Sequence, residues 1–460
     1  MAMKPKPIRR RDLLKAAGIV FALNGPGANA APGGGDLSRG GEVFPRAWSV
    51  KSVDKPTLGE KNSAFTRFSG ANMFQIYRPL KTARDGKGSF EAEEADTAKR
   101  TAEWIKKGIP GFRLRDLQLS AGAWTLMHST KPGEGLLSWT RISVKTPAEL
   151  GVPPYTATPE EAALTVKAAA WFYGAGLAGI APMKEGYINR NQTGKEGKAG
   201  LEISIEDADV PSVTAQKFVI PRKMKWVVAI AIPMDLDLLR RAPTALGDAA
   251  TGLGYSDSAF VAASLAEFIR GLGYQAIPSV NDTALSVPFA VEAGLGELSR
   301  LNKMVSPEFG AAVRLCKVFT DLPMACDKPI DCGIVEFCKR CKKCAEACPS
   351  GALSFDDEPS FKTRGPWNNP GHKAWFEDSY KCYEFWQQVG GGGCGVCLAS
   401  CPFTKAARGW LHGTVESTVS MTPVADHFFR IMDDAFGYGK QPGDLEQWWT
   451  KARPASGQRE

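Results

Sequence analysis

Cys338-Lys-Arg-Cys341-Lys-Lys-Cys344-Ala-Glu-Ala-Cys348-Pro349 decides how the C-terminal part of this chain is built. Its C-x2-C-x2-C-x3-C-P spacing is the one by which bacterial ferredoxins hold iron–sulfur clusters. Three thiolates wrap one cubane and the fourth reaches across to another. A second half should therefore exist, and Cys394-Gly-Val-Cys397-Leu-Ala-Ser-Cys401-Pro402 supplies it. It is one cysteine short, because Gly391 stands where its first thiolate would sit, and Cys382 is the nearest replacement. The ligand sets are then Cys338, Cys341, Cys344 and Cys401 for one cluster, and Cys348, Cys382, Cys394 and Cys397 for the other. A zinc ribbon or a disulfide framework needs neither the three-residue gap nor the proline after it. The chain moves electrons. Cys316 lies in the apolar run Val313 to Phe319, and Cys326 and Cys332 fit neither spacing, so all three read as non-ligands.

The other end carries an address. Arg9-Arg10-Arg11-Asp12-Leu13-Leu14-Lys15 contains an Arg-Arg-x-Leu-Leu-Lys string close to the twin-arginine export signal. A short apolar stretch, Ala16 to Leu23, follows, and Ala28-Asn29-Ala30 forms a signal-peptidase pattern before Ala31. That stretch is too short for a bilayer, which takes about 20 residues. The expectation is a signal peptide over 1–30 and export of a chain already folded around its cofactors. Residues 1–30 hold six basic side chains and one acidic, so removing them lowers the net charge from +8 to +3. A balance that mild argues against a nucleic-acid partner. Eleven cysteines in an exported protein would ordinarily read as disulfides. Here all eleven follow residue 315 and eight fit cluster spacing, so metal accounts for them better.

Between the two ends there is room for two or three domains. Residues 31–150 are rich in Gly, Lys and Trp, with periodicity too weak to assign a fold. From Thr158 the signal sharpens: Thr158-Pro159-Glu160-Glu161 places an N-cap, a proline at the first helical position and acids in the first turn. That helix runs to Tyr173, and Gly174 and Gly176 end it. Leu177 to Ala181 and Trp226 to Ile232 are apolar runs of buried-strand type. Ala259 to Leu272 reads as a buried helix leading into a strand at Tyr274 to Ile277. The alternation predicts an α/β (α+β) core over 151–325, a ferredoxin-like domain over 326–405 and a C-terminal segment, 406–460, packing on the core. Gly390 to Gly393 reads either as a hinge or as a place where backbone comes close to the second cluster.

Export signal, α/β core and paired cluster motifs together resemble the corrinoid-dependent reductive dehalogenases of organohalide respiration. The resemblance also rests on Ala290-Val-Glu-Ala-Gly-Leu-Gly296, Ser306-Pro-Glu-Phe-Gly310, Val313-Arg314-Leu315, Val318-Phe-Thr-Asp-Leu-Pro323 and Asp327-Lys-Pro-Ile-Asp331. It implies a core resembling the nitroreductase fold around a base-off corrinoid, with two [4Fe–4S] clusters feeding electrons to the cobalt. The four histidines, His128, His372, His412 and His427, lie in no D-x-H-x-x-G motif, which agrees with a cobalt lacking a lower protein ligand. By resemblance, cofactor contacts fall on Gly294, Gly296, Phe309 and Gly310. Tyr255 becomes the proton donor at the opening of the long helix. Arg314 stabilises the anion, and Asn281 bonds a leaving or incoming group through its amide.

The resemblance further implies a small hydrophobic membrane-anchor protein, a quinone-linked donor and a place on the outer face of the cytoplasmic membrane. Trp367, Trp375, Phe385 and Trp386 either line an apolar substrate channel or pack the cluster domain. Two other functions fit parts of the pattern. A corrinoid-dependent epoxyqueuosine reductase shares core and clusters but acts on transfer RNA in the cytoplasm. A non-catalytic iron–sulfur subunit of a membrane oxidoreductase would bind no corrinoid.

Overall fold

The structure is a computed structural model that describes residues 51–52, 73–192, 200–404 and 444–451. The signal peptide expected over 1–30, most of the C-terminal segment, His412 and His427 lie outside these residues. After a two-residue strand at Lys51–Ser52, paired with Ile330–Asp331, come three helices, α1 (Met73–Asp85), α2 (Ser89–Lys107) and α3 (Leu114–His128). Helix α4 (Pro159–Phe172) then leads into strand β1 (Leu177–Pro182). Strand β2 (Trp226–Pro233), the long helix α5 (Ala245–Gly271), β3 (Ala276–Ser279), α6 (Ser286–Glu292) and β4 (Val313–Thr320) complete the core. Four short helices carry the cluster region: α7 (Ile334–Cys341), α8 (Lys343–Ala347), α9 (Ser379–Gln388) and α10 (Val396–Ser400).

The four strands form one sheet in the order β1-β2-β4-β3, and every neighbouring pair is antiparallel. The core is therefore of the mixed, α+β kind. Continuous apolar runs suit a sheet covered on both faces, and Val227 to Ile232 are buried without a break. Val228, Ile230 and Ile232 pack with Val166 of α4 and Ala259, Ala262 and Leu265 of α5. Val227, Ala229 and Ala231 face the other way, against Phe289 of α6 and Ile203 and Phe218 of a small side sheet.

Local chemistry sets the helix limits. At α4 the Thr158 hydroxyl accepts from the Glu161 N–H (3.2 Å), and the Glu161 carboxylate accepts from the Thr158 N–H (3.0 Å). This reciprocal cap satisfies two N–H groups left open by the helix start. Helix α5 starts fourteen residues before the sequence pattern indicates, at Ala245 rather than Ala259. Its first half holds Gly247, Gly252 and Gly254, which weaken helix propensity. Each fills a tight contact: a Cβ there would strike the Ala242 backbone, the Trp124 ring and the Arg314 stem respectively. Close packing outweighs propensity.

The stretch 73–128 belongs to the core's packing. Helix α3 lies along α5. Helices α1 and α2 hold α9: Thr97 Oγ1 donates to the Gln387 carbonyl (2.9 Å), Arg84 pairs with Glu384 (2.8 Å), and Tyr77 packs against Tyr380 and Tyr383. Trp375 and Trp386 serve packing as well. Trp375 is buried and donates to the Asp356 carbonyl (2.9 Å), while Trp386 packs on Tyr383.

Candidate active site and cluster centres

Three residues far apart in sequence meet at one edge of the core. Asn281 lies in the loop after β3, and its Nδ2 donates to the Tyr255 hydroxyl at 2.9 Å. Arg314, the second residue of β4, holds its guanidinium carbon 4.8 Å from the centre of the Tyr255 ring. Arg314 Nη2 also donates to Thr251 Oγ1 at 3.0 Å, which fixes the plane of the fork. Tyr255 sits eleven residues into α5, not at its opening, and this follows from the earlier helix start. Thr251 lies one turn before it on the same face.

Around this group are residues that sequence reading missed. The Trp124 indole stacks on the Tyr255 ring, centroids 5.4 Å apart, and His128 stacks on Trp124 at 5.2 Å. Trp124 Nε1 donates to Asp248 (3.0 Å), which also accepts from Ser120 Oγ (2.5 Å) and from the Gly393 N–H (2.7 Å). Asp248 thus ties helices α3 and α5 to the glycine segment just before Cys394. That segment is pinned against Asp248, with Gly392 leaving no room for a Cβ. Only the four-residue repeat Ser120-Trp124-His128 hinted at a shared face in the sequence.

Lys317, also on β4, is wholly buried. Its ammonium donates to the Val280 carbonyl (2.7 Å), the Asp282 carbonyl (3.4 Å) and Ser286 Oγ (3.0 Å). These contacts bracket Asn281. Burial lowers the Lys317 pKa to about 8, with the nearby Asp282 opposing the shift.

The glycines expected at a cofactor meet protein backbone where a Cβ would sit. At Gly294, Gly296 and Gly310 the space a Cβ would take is occupied by backbone of Lys328, Val305 and Phe403. Gly310 has φ +59°, and its neighbour Ala311 donates to Thr404 Oγ1 at 3.0 Å. There the core locks to the segment after Cys401. Phe309 is half-buried and packs into the core against Gly176.

The cysteines gather as two groups. Cys338, Cys341, Cys344 and Cys401 line one small cavity, together with Arg300, Phe337 and Phe403. Burial raises the Cys338 thiol well above the ordinary range, and Cys401 and Cys341 add to the rise. Burial likewise lifts Cys394 to about 11 and Cys397 to about 12, and Cys348 acts on both. Cys382, on α9, is raised by burial and Glu377, and it senses Cys397 and Cys394. Its thiol is thus within electrostatic reach of Cys394 and Cys397, although it lies outside both motifs. Thiols this costly to ionise unaided are suited to a cationic metal centre, which deprotonates its ligands. Of the remaining three, Cys316 is packed in the core, Cys326 is exposed, and Cys332 donates to Glu297 at 3.0 Å.

Fold and site define a redox enzyme with an iron–sulfur relay beside a tyrosine–arginine–asparagine group. The sequence matches the family described as reductive dehalogenase subunit over residues 45–197 and 203–324. It matches the 4Fe-4S double cluster binding domain over 337–404. The tetrachloroethene reductive dehalogenase of Sulfurospirillum multivorans is 32% identical, over 97% of this chain and 94% of that protein. The chloroethene reductive dehalogenase of Dehalococcoides mccartyi strain VS is 26% identical over 98% of each. A solved catabolic reductive dehalogenase superposes with a TM-score of 0.65 at 24% identity, over 90% of this chain and 52% of that one, and it shares the fold. The chain belongs to the reductive dehalogenases and carries a C-terminal double [4Fe–4S] cluster domain.

Proposed function

We propose that this enzyme replaces a carbon–halogen bond by carbon–hydrogen, using two electrons from its clusters and one proton from Tyr255. The observation that carries the reading is the Asn281–Tyr255 hydrogen bond beneath the Arg314 guanidinium. Because the amide donates to the phenol oxygen, the phenol's own hydrogen is free to go to substrate carbon. Once it leaves, the same N–H bonds to an oxyanion, and charge strengthens such a bond. The guanidinium stays charged when buried and stabilises the tyrosinate through the ring. Halide leaves with the electron pair of the broken bond, so two electrons and one proton balance the exchange.

The resemblance adds a base-off corrinoid in a core of nitroreductase type, and the residues present fit such a group. Among the described residues, Arg314 Nε and Gln192 Oε1 are buried without a protein partner, and Gln192 joins the Asn281 loop through Thr283 at 3.2 Å. Buried polar atoms normally find partners. A corrinoid rim carries amide groups that both donate and accept, which suits one open donor and one open acceptor beside the triad. When bound, its low-valent cobalt supplies the electrons at the carbon–halogen bond. For substrate we take a small halogenated alkene, the class named in the two relatives that match along most of their own lengths. Twin-arginine export, a hydrophobic anchor protein and a quinone-linked donor belong to the same proposal.

Metal content tests it. Protein purified without oxygen, after expression with added corrinoid, should hold about eight irons and one cobalt, counting two cubanes and one corrinoid. It should also replace halogen by hydrogen. Iron without cobalt and without turnover would leave only the electron-transfer subunit.

A further inference from the structure

The two cysteine groups differ in the fixed charge beside them. Arg300 is 1% exposed and lines the cavity of the Cys338 group. Its guanidinium donates to the carbonyls of Cys338 (2.9 and 2.7 Å), Ser354 (2.8 Å), Asp356 (2.7 Å) and, more weakly, Lys339 (3.4 Å). It also lies 4.8 Å over the Trp375 ring. None of these partners carries a charge. The cavity's other charged lining residue, Lys342, pairs with Asp357 at 2.5 Å. Among the described residues no carboxylate reaches Arg300 at ion-pair distance. Asp357 feels the Arg300 charge only at longer range and is itself paired with Lys342, so the positive charge is held in a low-dielectric wall with no direct counter-ion, where it acts strongly.

The second group faces a neutral combination. Lys303 pairs with Glu377 at 2.8 and 3.0 Å. The two act on the same thiols with opposite sign: Glu377 raises and Lys303 lowers both Cys382 and Cys397. The ion pair carries no net charge, so it opposes itself there. Cys344 senses Cys397, so the two sites are also near enough for charge on one to oppose charge on the other.

We propose that Arg300, through its uncompensated buried charge, makes the cluster held by Cys338, Cys341, Cys344 and Cys401 the higher-potential one of the two. A cation beside a cluster favours the state with the extra electron, and local charge is one of the protein's levers on cluster potential. In the one-electron-reduced enzyme the electron then rests at the Cys338 group. Arg300 is a positioning residue in addition, since its carbonyl bonds hold the segments 338–339 and 354–356 together.

The inference rests on the cluster reading, so iron is counted first. Wild-type holoenzyme with far fewer than about eight irons would defeat that reading rather than the charge assignment. A redox titration of the full enzyme, followed by electron paramagnetic resonance, then gives two midpoints. Arg300→Met should lower only the upper one, by about tenfold in the reduction equilibrium, roughly 59 mV for one electron. Arg300→Lys keeps the charge and should hold the upper midpoint near its wild-type value. Glu377→Gln leaves Lys303 uncompensated and should raise only the lower midpoint. The proposal is overturned if Arg300→Met keeps its iron and both midpoints, or if Arg300→Lys falls as far as Arg300→Met. Should Arg300→Met lose a cluster with its carbonyl bonds, Glu377→Gln decides alone, and an unmoved lower midpoint overturns the proposal.

Discussion

At the scale of single residues, the proposed mechanism gives chemistry to Tyr255 and position to Lys317. Tyr255→Phe keeps the ring that Trp124 stacks on and removes only the proton, so iron and cobalt should load normally. Turnover should fall by roughly 100-fold or more, the loss expected for a general acid. Arg314→Lys keeps a charge but loses the planar fork that bonds Thr251, so a smaller loss is expected. Near-normal dehalogenation by fully loaded Tyr255→Phe would move the proton donor elsewhere. Lys317 has no atom at the reacting group, yet it holds the Asn281 loop from beneath through Val280, Asp282 and Ser286. Lys317→Met removes these charge-assisted bonds, each worth about 1.5–3 kcal/mol, while Ser286 still donates to the Val280 carbonyl and Ser279 to the Asp282 carbonyl. The pH dependence has a definite sign. The folded pKa, about 8, lies below the ordinary lysine value of 10.5, so between those values the unfolded chain binds more protons. Stability due to Lys317 therefore rises with pH across that window and is flat below it. Asp282 and Cys316 are the other ionisable groups acting on it. Denaturant titrations of wild type and Lys317→Met at pH 7, 8.5 and 10 should show the gap widening. A constant gap would mean that the buried amine does not titrate there.

At the scale of elements, α5 joins substrate chemistry to the cluster domain. Its glycine at 254 lets the Arg314 stem cross at a distance that a Cβ would reduce to 2.9 Å. Gly254→Ala should therefore displace Arg314 from Tyr255 and lower turnover, with iron content unchanged, because the cysteines lie on other elements. Over-packing of this kind costs about 1–3 kcal/mol in stability. Full activity in Gly254→Ala would show that the guanidinium need not sit over the ring. The same glycines explain why the first half of α5 was illegible in the sequence. Helix patterns show where apolar side chains recur, and Gly247, Gly252 and Gly254 use the absence of a side chain. By contrast, the α4 cap at Thr158 and the run Trp226 to Ile232 are local signals, and the structure places helix and strand there. The cysteine motif is local too, whereas Cys382 needed α9 to be brought to Cys394 and Cys397. Helices α1 and α2 gave no clear pattern because their partners are remote, with Thr97 bonded to Gln387 across 290 positions. The triad was legible through family likeness; Trp124, Asp248 and Lys317, which hold it, were not.

At the scale of the whole molecule, contacts between core and cluster domain would hold the proposed electron path together. Gly310 meets Phe403, Asp248 holds Gly393, and Glu297 accepts from the N–H groups of Cys332 and Ile334 at the start of α7. Each joint lies between a core element and a cysteine-bearing segment, so relative movement that would lengthen an electron step is opposed at three points. Electrons must still enter from outside, and here the proposed location makes a testable demand. A chain exported by the twin-arginine route with residues 1–30 removed would reach the outer face of the membrane without its leader. No helix among the described residues is long and apolar enough to cross a bilayer. On our reading a small hydrophobic anchor protein holds the enzyme beside the quinone-linked donor. Dehalogenating activity in the native host should then sediment with membranes and be released by detergent or high salt. Chemical crosslinking of intact cells should join the enzyme to a small membrane protein. Activity found wholly in the soluble fraction outside the cytoplasmic membrane, with no crosslinked membrane partner, would sink the anchor. The dehalogenase assignment would stand, because it rests on the family match and the cluster domain rather than on where the enzyme is held.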